Sequence, residues 1–263
     1  MAGGESTGGD ADRDRVRLEY RGDVALLTLD HPEDRNALSL AMTSALVDAV
    51  TQVQADGVAA ALVVTANGPV FSSGGSVDDL LEPKAPLEEM YAGFVAIAHS
   101  GLPTVAAVNG PALGAGMNLA LACDLIICSP AARFETRFLG VGLHPGGGHL
   151  WLLRERIGRQ GAVAMAVFGA ALDGEEAAAR GLAWRCVDED QLLGVALELA
   201  AGAASLDRAL VARTLATLDD QAAVHRMSDA LALELPPQQW SMGRPEFASR
   251  LELLRVRLGR HPG

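Results

Sequence analysis

The chain has 263 residues, with 21 Lys+Arg against 33 Asp+Glu and a formal net charge of −12 at pH 7. That balance excludes a nucleic-acid binder held by phosphate neutralisation and disfavours anionic membranes, because each needs a basic stripe that no segment supplies. Hydrophobic residues make up 49% of the chain, enough for a sizeable core, and the length fits one main domain with a helical C-terminal piece. No apolar run reaches the roughly 18 residues a membrane-spanning helix requires, and no apolar signal segment opens the chain. Cys123, Cys128 and Cys186 match no zinc or redox spacing and read as small buried hydrophobes with reduced thiols, so a cytoplasmic protein is expected.

Residues 1–14 hold four glycines and five charged side chains with no large apolar residue after Met1, and read as a flexible tail. Residues 16–20 and 24–29 alternate around Arg21-Gly22-Asp23 as a β-hairpin does. Ser39 is placed to cap a helix that Asp56-Gly57 closes. The segments 61–66, 104–110 and 125–129 are short and apolar on both faces, as buried parallel strands are. Strand, glycine turn, helix and strand at this pitch argue for a layered α/β fold with right-handed crossovers. Beyond residue 150, helical patterns at 149–157, 161–168, 174–180, 190–203, 206–217, 221–235 and 245–258 are punctuated by Gly158, Gly169, Gly181 and Pro236-Pro237. The expected division is a tail at 1–14, an α/β core at 15–200 and a helical region at 201–263.

Two glycine-rich turns carry the first chemical signal. In 71–80 (FSSGGSVDDL) and 109–121 (NGPALGAGMNLAL), small residues stand where a strand gives way to a helix. Main-chain N–H groups there face a ligand unobstructed, and the helix dipole adds positive potential, so each turn suits an anion or oxyanion. Nucleotide motifs fail on spacing. A P-loop needs a lysine after its last glycine, and the one lysine is Lys84; a dinucleotide fingerprint from Gly114 needs a small residue where Leu119 stands.

The order and content of 31–39 (HPEDRNALS), 71–80, 103–130 (PTVAAVNGPALGAGMNLALACDLIICSP) and 133–149 (RFETRFLGVGLHPGGGH) resemble the enoyl-CoA hydratase/isomerase, or crotonase, family, over about residues 16–185. The resemblance implies a crotonase-like spiral of ββα units with a C-terminal helical region, assembled as a homotrimer or a dimer of trimers. It implies an acyl-CoA substrate, with coenzyme A present only as part of that substrate and no separate cofactor. The main-chain N–H groups of Gly75 and Ala115 would then form an oxyanion hole for the thioester carbonyl, with Ser73, Gly74, Gly114 and Gly116 allowing close approach. Arg35 is the expected phosphate contact. Leu80, Leu81, Phe138, Leu139 and Leu143 are candidates for an acyl channel.

The two catalytic glutamates of the family's hydratases fall on Asn118 and Phe138, neither of which moves a proton as hydration requires. Isomerase, hydrolase or decarboxylase chemistry is the alternative within the enzyme reading, and a non-catalytic acyl-CoA-binding or sensing protein is the alternative outside it. Asn118 can orient water or donate to an oxyanion. His144, before Pro145-Gly146-Gly147-Gly148, is the leading titratable candidate, followed by His149 at the end of that loop and by Glu135. Asp124 reads as a buried hydrogen-bonding carboxylate, and Asp78 and Asp79 as favourable charges at a helix start. The six histidines are scattered and predict no metal site.

Overall fold

The computed structural model describes residues 15–258, so the expected tail at 1–14 lies outside the described residues. The chain divides between Ser205 and Leu206 into two compact units.

In the first unit, β1 (Val16–Arg21) and β2 (Val24–Leu29) form an antiparallel hairpin. Arg21 pairs with Val24, so the turn is the two residues Gly22-Asp23, one fewer than the sequence suggests, with Gly22 at φ 61°. Helix α1 (Leu40–Asp56) begins where Ser39 Oγ accepts the Met42 N–H at 3.1 Å and ends at Gly57, in the left-handed region. Strand β3 (Ala61–Ala66) is buried at every position between parallel neighbours. There follow α2 (Val77–Leu81), α3 (Ala92–Ala98), β4 (Thr104–Val108), β5 (Pro111–Leu113), α4 (Ala115–Leu121), β6 (Leu125–Cys128), β7 (Arg133–Glu135), α5 (His149–Ala166), β8 (Leu172–Asp173), α6 (Gly174–Ala179), β9 (Arg185–Cys186) and α7 (Glu189–Ala204). The main sheet has the order β1-β2-β3-β4-β6-β9, parallel except for β1, and a small second sheet has the order β5-β7-β8.

Alternation along the strands separates two apolar layers. Ala25, Leu27, Leu62, Val64 and Ala106 face the larger core, which α1 completes with Met42, Leu46 and Val50 and α4 with Met117 and Leu121. Leu26, Val63, Val105 and Ile127 face the other way and are covered by Leu192, Ala196, Ala200 and Ala204, one residue per turn of α7. The unit therefore extends to Ser205 rather than 200, because the last turn of α7 still lies on the sheet.

Two local expectations need correction. The α5 segment is one element bent at Gly158, whose φ of 67° and ψ of 175° break the helix locally, rather than two separate helices. Asp124 is exposed, not buried, since it stands at the end of the sheet where β6 begins; it still accepts from the Thr104 N–H at 2.7 Å and the Thr104 hydroxyl at 2.8 Å. Strands β5 and β8 escape a reading of the sequence, because two- and three-residue strands leave too little periodicity to recognise. The cysteines are free, and burial pushes the thiols of Cys123 and Cys128 up to about 12, which makes both unreactive.

The second unit holds α8 (Arg208–Gln221), α9 (Met227–Met242) and α10 (Pro245–Leu258). Asp207 caps α8 by accepting the Leu210 N–H at 2.9 Å and takes a two-pronged contact from Arg244 at 2.7 and 2.8 Å. The Trp240 ring carries the guanidinium groups of Arg213 and Arg244 at 4.1 and 4.8 Å. Pro236-Pro237 does not end a helix: α9 runs through both. Each proline removes an N–H, but this stretch is largely exposed, so the carbonyls of Ala232 and Leu233 that lose their donors can turn to water. No residue of α8, α9 or α10 is buried. Among the described residues no helix is long and apolar enough to cross a membrane, and no group of three or more His, Cys, Asp or Glu is placed to hold a metal ion.

Candidate active site

The two glycine-rich turns lie against each other. Ser72 pairs with Ala112 in a parallel bridge: the Ser72 N–H donates to Pro111 O at 3.1 Å and the Leu113 N–H donates to Ser72 O at 3.0 Å. Two residues further on, a Cβ on Gly74 would stand 2.7 Å from Leu113 O and 3.5 Å from Ala115 N, and Gly74 takes a φ of 100°. A Cβ on Gly116 would stand 2.5 Å from Ser72 O. Only glycine permits this approach, which brings the start of α4 onto the 72–75 segment. Gly75 bridges to Leu38, yet its own N–H finds no acceptor among the described residues. The N–H of Ala115, the first residue of α4, is likewise without one, as the start of a helix dictates. Ser73 is half-buried, its N–H donating to Arg35 O at 3.0 Å.

One turn into α4 the side chains take over. Asn118 is fully buried, and its Nδ2 donates to Gly146 O at 3.0 Å while its Oδ1 meets His149 Nδ1 at 2.6 Å. A carbonyl only accepts, so the contact with Gly146 fixes which end of the amide is the NH2 group. Oδ1 therefore accepts from Nδ1–H, and the lone pair of the imidazole resides on Nε2. His149 is 1% exposed; its Nε2 is buried and has no hydrogen-bond partner among the described residues. Burial pulls the His149 pKa down from 6.5 to about 4. The ring of Phe138 stands edge-on to this imidazole with centroids 5.0 Å apart, and a Cβ on Gly114 would be 4.0 Å from its tip. Phe138 thus lies between the α4 turn and His149.

The remaining candidates are dispersed around this centre. His144 is exposed, its Nδ1 2.8 Å from the carbonyl oxygen of its own neighbour Pro145; the polar partner of Asn118 is His149. The sequence marks each of the two residues, though not their pairing, since Asn118 and His149 are single polar residues beside apolar runs in 117–121 and 150–153. Arg35 is exposed at a φ of 54°, its carbonyl committed to Ser73. Glu135 is ion-paired to both Arg133 and Arg137, and the hydrogen bond from Arg137 leads in holding its carboxyl below the usual range. Asp79 accepts the Leu40 N–H at 3.0 Å, a structural task at the start of α1. Leu80, Leu81, Leu139 and Leu143 are all exposed, and Leu80 comes within 3.4 Å of where a Cβ on Gly75 would be. Of these, Leu80 is the one with a contact at a glycine turn.

The model of the family described as enoyl-CoA hydratase/isomerase matches residues 19–240. The chain belongs to that family, the crotonases. Its curated relatives include "Probable enoyl-CoA hydratase EchA14" of Mycobacterium tuberculosis, 42% identical over 253 residues that cover 92% of this chain and 97% of the relative. A 1,2-epoxyphenylacetyl-CoA isomerase of Escherichia coli is 34% identical over 186 residues, covering 67% of this chain and 71% of that one. Among solved structures, a Mycobacterium abscessus enoyl-CoA hydratase/isomerase relative superposes with a TM-score of 0.84 at 28% identity, covering 92% and 96% of the two chains. A Thermobifida fusca protein assigned to the enoyl-CoA hydratases, solved in complex with acetoacetyl-CoA, has a TM-score of 0.79 at 27% identity and covers 88% and 95%. The expected crotonase fold is thereby established.

Proposed function

We propose that this crotonase binds an acyl-CoA thioester, its carbonyl oxygen accepting from the N–H groups of Gly75 and Ala115. The observation that carries the reading is the packing of the two glycine turns, which sets Gly74 against Leu113 and Ala115 while the N–H groups of Gly75 and Ala115 have no acceptor among the described residues. Two donors already in place stabilise charge on that oxygen as it develops, with no reorganisation at the moment of reaction. Gly74, Gly114 and Gly116 let the main chain approach the thioester, Ser73 lines the turn, and Phe138, Leu143 and the exposed leucines of α2 take the acyl part. Arg35, exposed and joined to the first glycine turn through its carbonyl, meets the CoA phosphates. The acetoacetyl-CoA held by the T. fusca relative supports this substrate class.

Within that class, the reaction is not the two-carboxylate hydration. Asn118 and Phe138 occupy the carboxylate positions, and neither side chain titrates near neutral pH. Proton-transfer chemistry of the isomerase kind, without added water, fits the site better; the isomerase among the relatives supports it. The same two replacements favour a second reading, a protein that holds acyl-CoA without converting it. We place the protein in the cytoplasm and propose that it is a homotrimer or dimer of trimers; three C-terminal helices with no buried residue support the assembly.

A panel of saturated, enoyl and aryl CoA esters, followed by melting temperature and by mass spectrometry of products, tests the assignment. A ligand that binds only the native state must raise the melting temperature. Stabilisation with product formation supports the enzyme, stabilisation without product supports the binding protein, and no stabilisation by any ester refutes both. Sedimentation velocity reads the assembly state.

A further inference from the structure

The proton acceptor that the missing carboxylates leave open has a candidate in the buried pair that Asn118 of α4 forms with His149 at the start of α5. Resting on the acyl-CoA reading, we propose that Nε2 of His149 is the group that removes and returns a substrate proton, and that Asn118 is the positioning residue that keeps this nitrogen unprotonated.

Three observations converge. First, Asn118 is tied to Gly146 O at 3.0 Å and to His149 Nδ1 at 2.6 Å, which selects the tautomer with a bare Nε2. Second, Nε2 is buried without a partner, a state that costs about 1–3 kcal/mol for a polar group and that a purely structural histidine would avoid by finding a donor. Third, Asn118 stands three residues beyond Ala115 on α4, the helix whose first N–H the acyl-CoA reading assigns to the thioester, and the Phe138 ring is edge-on to His149 with its tip 4.0 Å from a Cβ on Gly114. Phe138 is half-buried and precedes a single turn, Leu139–Val141, whose residues include no buried side chain. It is the cover that the acyl group displaces to reach Nε2.

The step balances without a co-reactant. The Nε2 lone pair takes a proton from the carbon next to the thioester carbonyl. The C–H electron pair forms the enolate double bond, and the carbonyl pair moves onto the oxygen held by Gly75 and Ala115. The imidazolium then returns its proton either to the same carbon, which is exchange, or to the γ-carbon of a β,γ-unsaturated chain, which moves the double bond into conjugation. Burial keeps the resting imidazole neutral, and the negative enolate formed beside it offsets the desolvation that opposes its charged form.

The test uses the whole protein with butyryl-CoA, a saturated ester that cannot be hydrated. In D2O, proton NMR is expected to show loss of the α-hydrogen signal with wild type, and H149Q is expected to slow that loss by about 100-fold or more while calorimetry shows unchanged butyryl-CoA affinity. Nitrogen-15 shifts of the wild-type histidines are expected to show a protonated Nδ1 and a bare Nε2 at His149, and N118A is expected to mix the tautomers. Exchange by H149Q at the wild-type rate would overturn the proposal. So would binding of butyryl-CoA by wild type with no exchange, which spares the acyl-CoA reading; absence of binding removes that reading as well. Should H149Q fail to fold, an Nε2–H tautomer in the wild-type spectrum is sufficient to overturn it.

Discussion

In the proposed site, Gly75 and Ala115 contribute main chain, whereas Asn118, Phe138 and His149 contribute side chains. The turns depend on positions where only glycine fits, and they place their donors whatever the neighbouring side chains are. The Asn118–His149 cluster depends on the identity of each group, because an amide, an imidazole and a phenyl ring differ in what they donate, accept and exclude. A scaffold with this division can keep its grip on a thioester while the proton chemistry beside it changes. The contrast predicts that damage to the turns affects every ligand, and that damage to the side-chain pair affects reaction and pH response while binding survives.

The largest effect is expected from A115P. Proline is well accepted as the first residue of a helix and deletes only an N–H that no helical carbonyl uses. α-Proton exchange or turnover should fall about 10²–10³-fold, equivalent to roughly 3–4 kcal/mol of transition-state stabilisation, with little change in melting temperature. A well-folded A115P that reacts at the wild-type rate would break the division between the two halves.

Next comes the acid response. His149 titrates at about 4 in the folded protein against 6.5 ordinarily. Between those values the unfolded chain binds a proton that the native state refuses. The stability held by the neutral ring is therefore complete above about pH 6.5 and declines as the pH falls through 4, by up to about 3 kcal/mol. Urea denaturation should show the stability gap between wild type and H149Q narrowing across that window; parallel profiles would mean that His149 is not held neutral by its surroundings.

A smaller effect, about 1–3 kcal/mol of stability, is expected for G116A, because its methyl group must push Ser72 O from 2.5 Å. Weakened binding of all CoA esters should accompany it, readable by calorimetry. The smallest is H144A: an exposed ring bonded to the adjacent carbonyl should change stability by less than about 0.5 kcal/mol. Its exchange rate is expected to match wild type, and a large loss would move the proton chemistry from His149 to the outer part of the loop.

Much of this is legible in the order of the residues. The hairpin, the Ser39 cap, the buried strands and the two glycine turns all follow from local rules of spacing and turn chemistry, and the folded chain keeps them. That Asn118 and Phe138 stand where the resemblance expects carboxylates is also readable, since it concerns which residue stands at a position. The pairing of Asn118 with His149 is not, because 31 residues of chain separate them and only the return of the 146–149 loop to α4 brings them together. His144 is the better candidate by its place before the loop, and its exposure becomes visible only once that loop is folded. The passage of α9 through Pro236-Pro237 is hidden for the opposite reason. A strong local signal yields to a helix exposed enough to leave two carbonyls to solvent.

The most direct test of the shared donor pair is the infrared stretch of a butyryl-CoA carrying a ¹³C-labelled thioester carbonyl. Two N–H donors on one oxygen should move the band to lower frequency in the complex than in water, and A115P should reverse part of that displacement. A band at its aqueous position in the wild-type complex, or one indifferent to A115P, would contradict the arrangement on which the account depends.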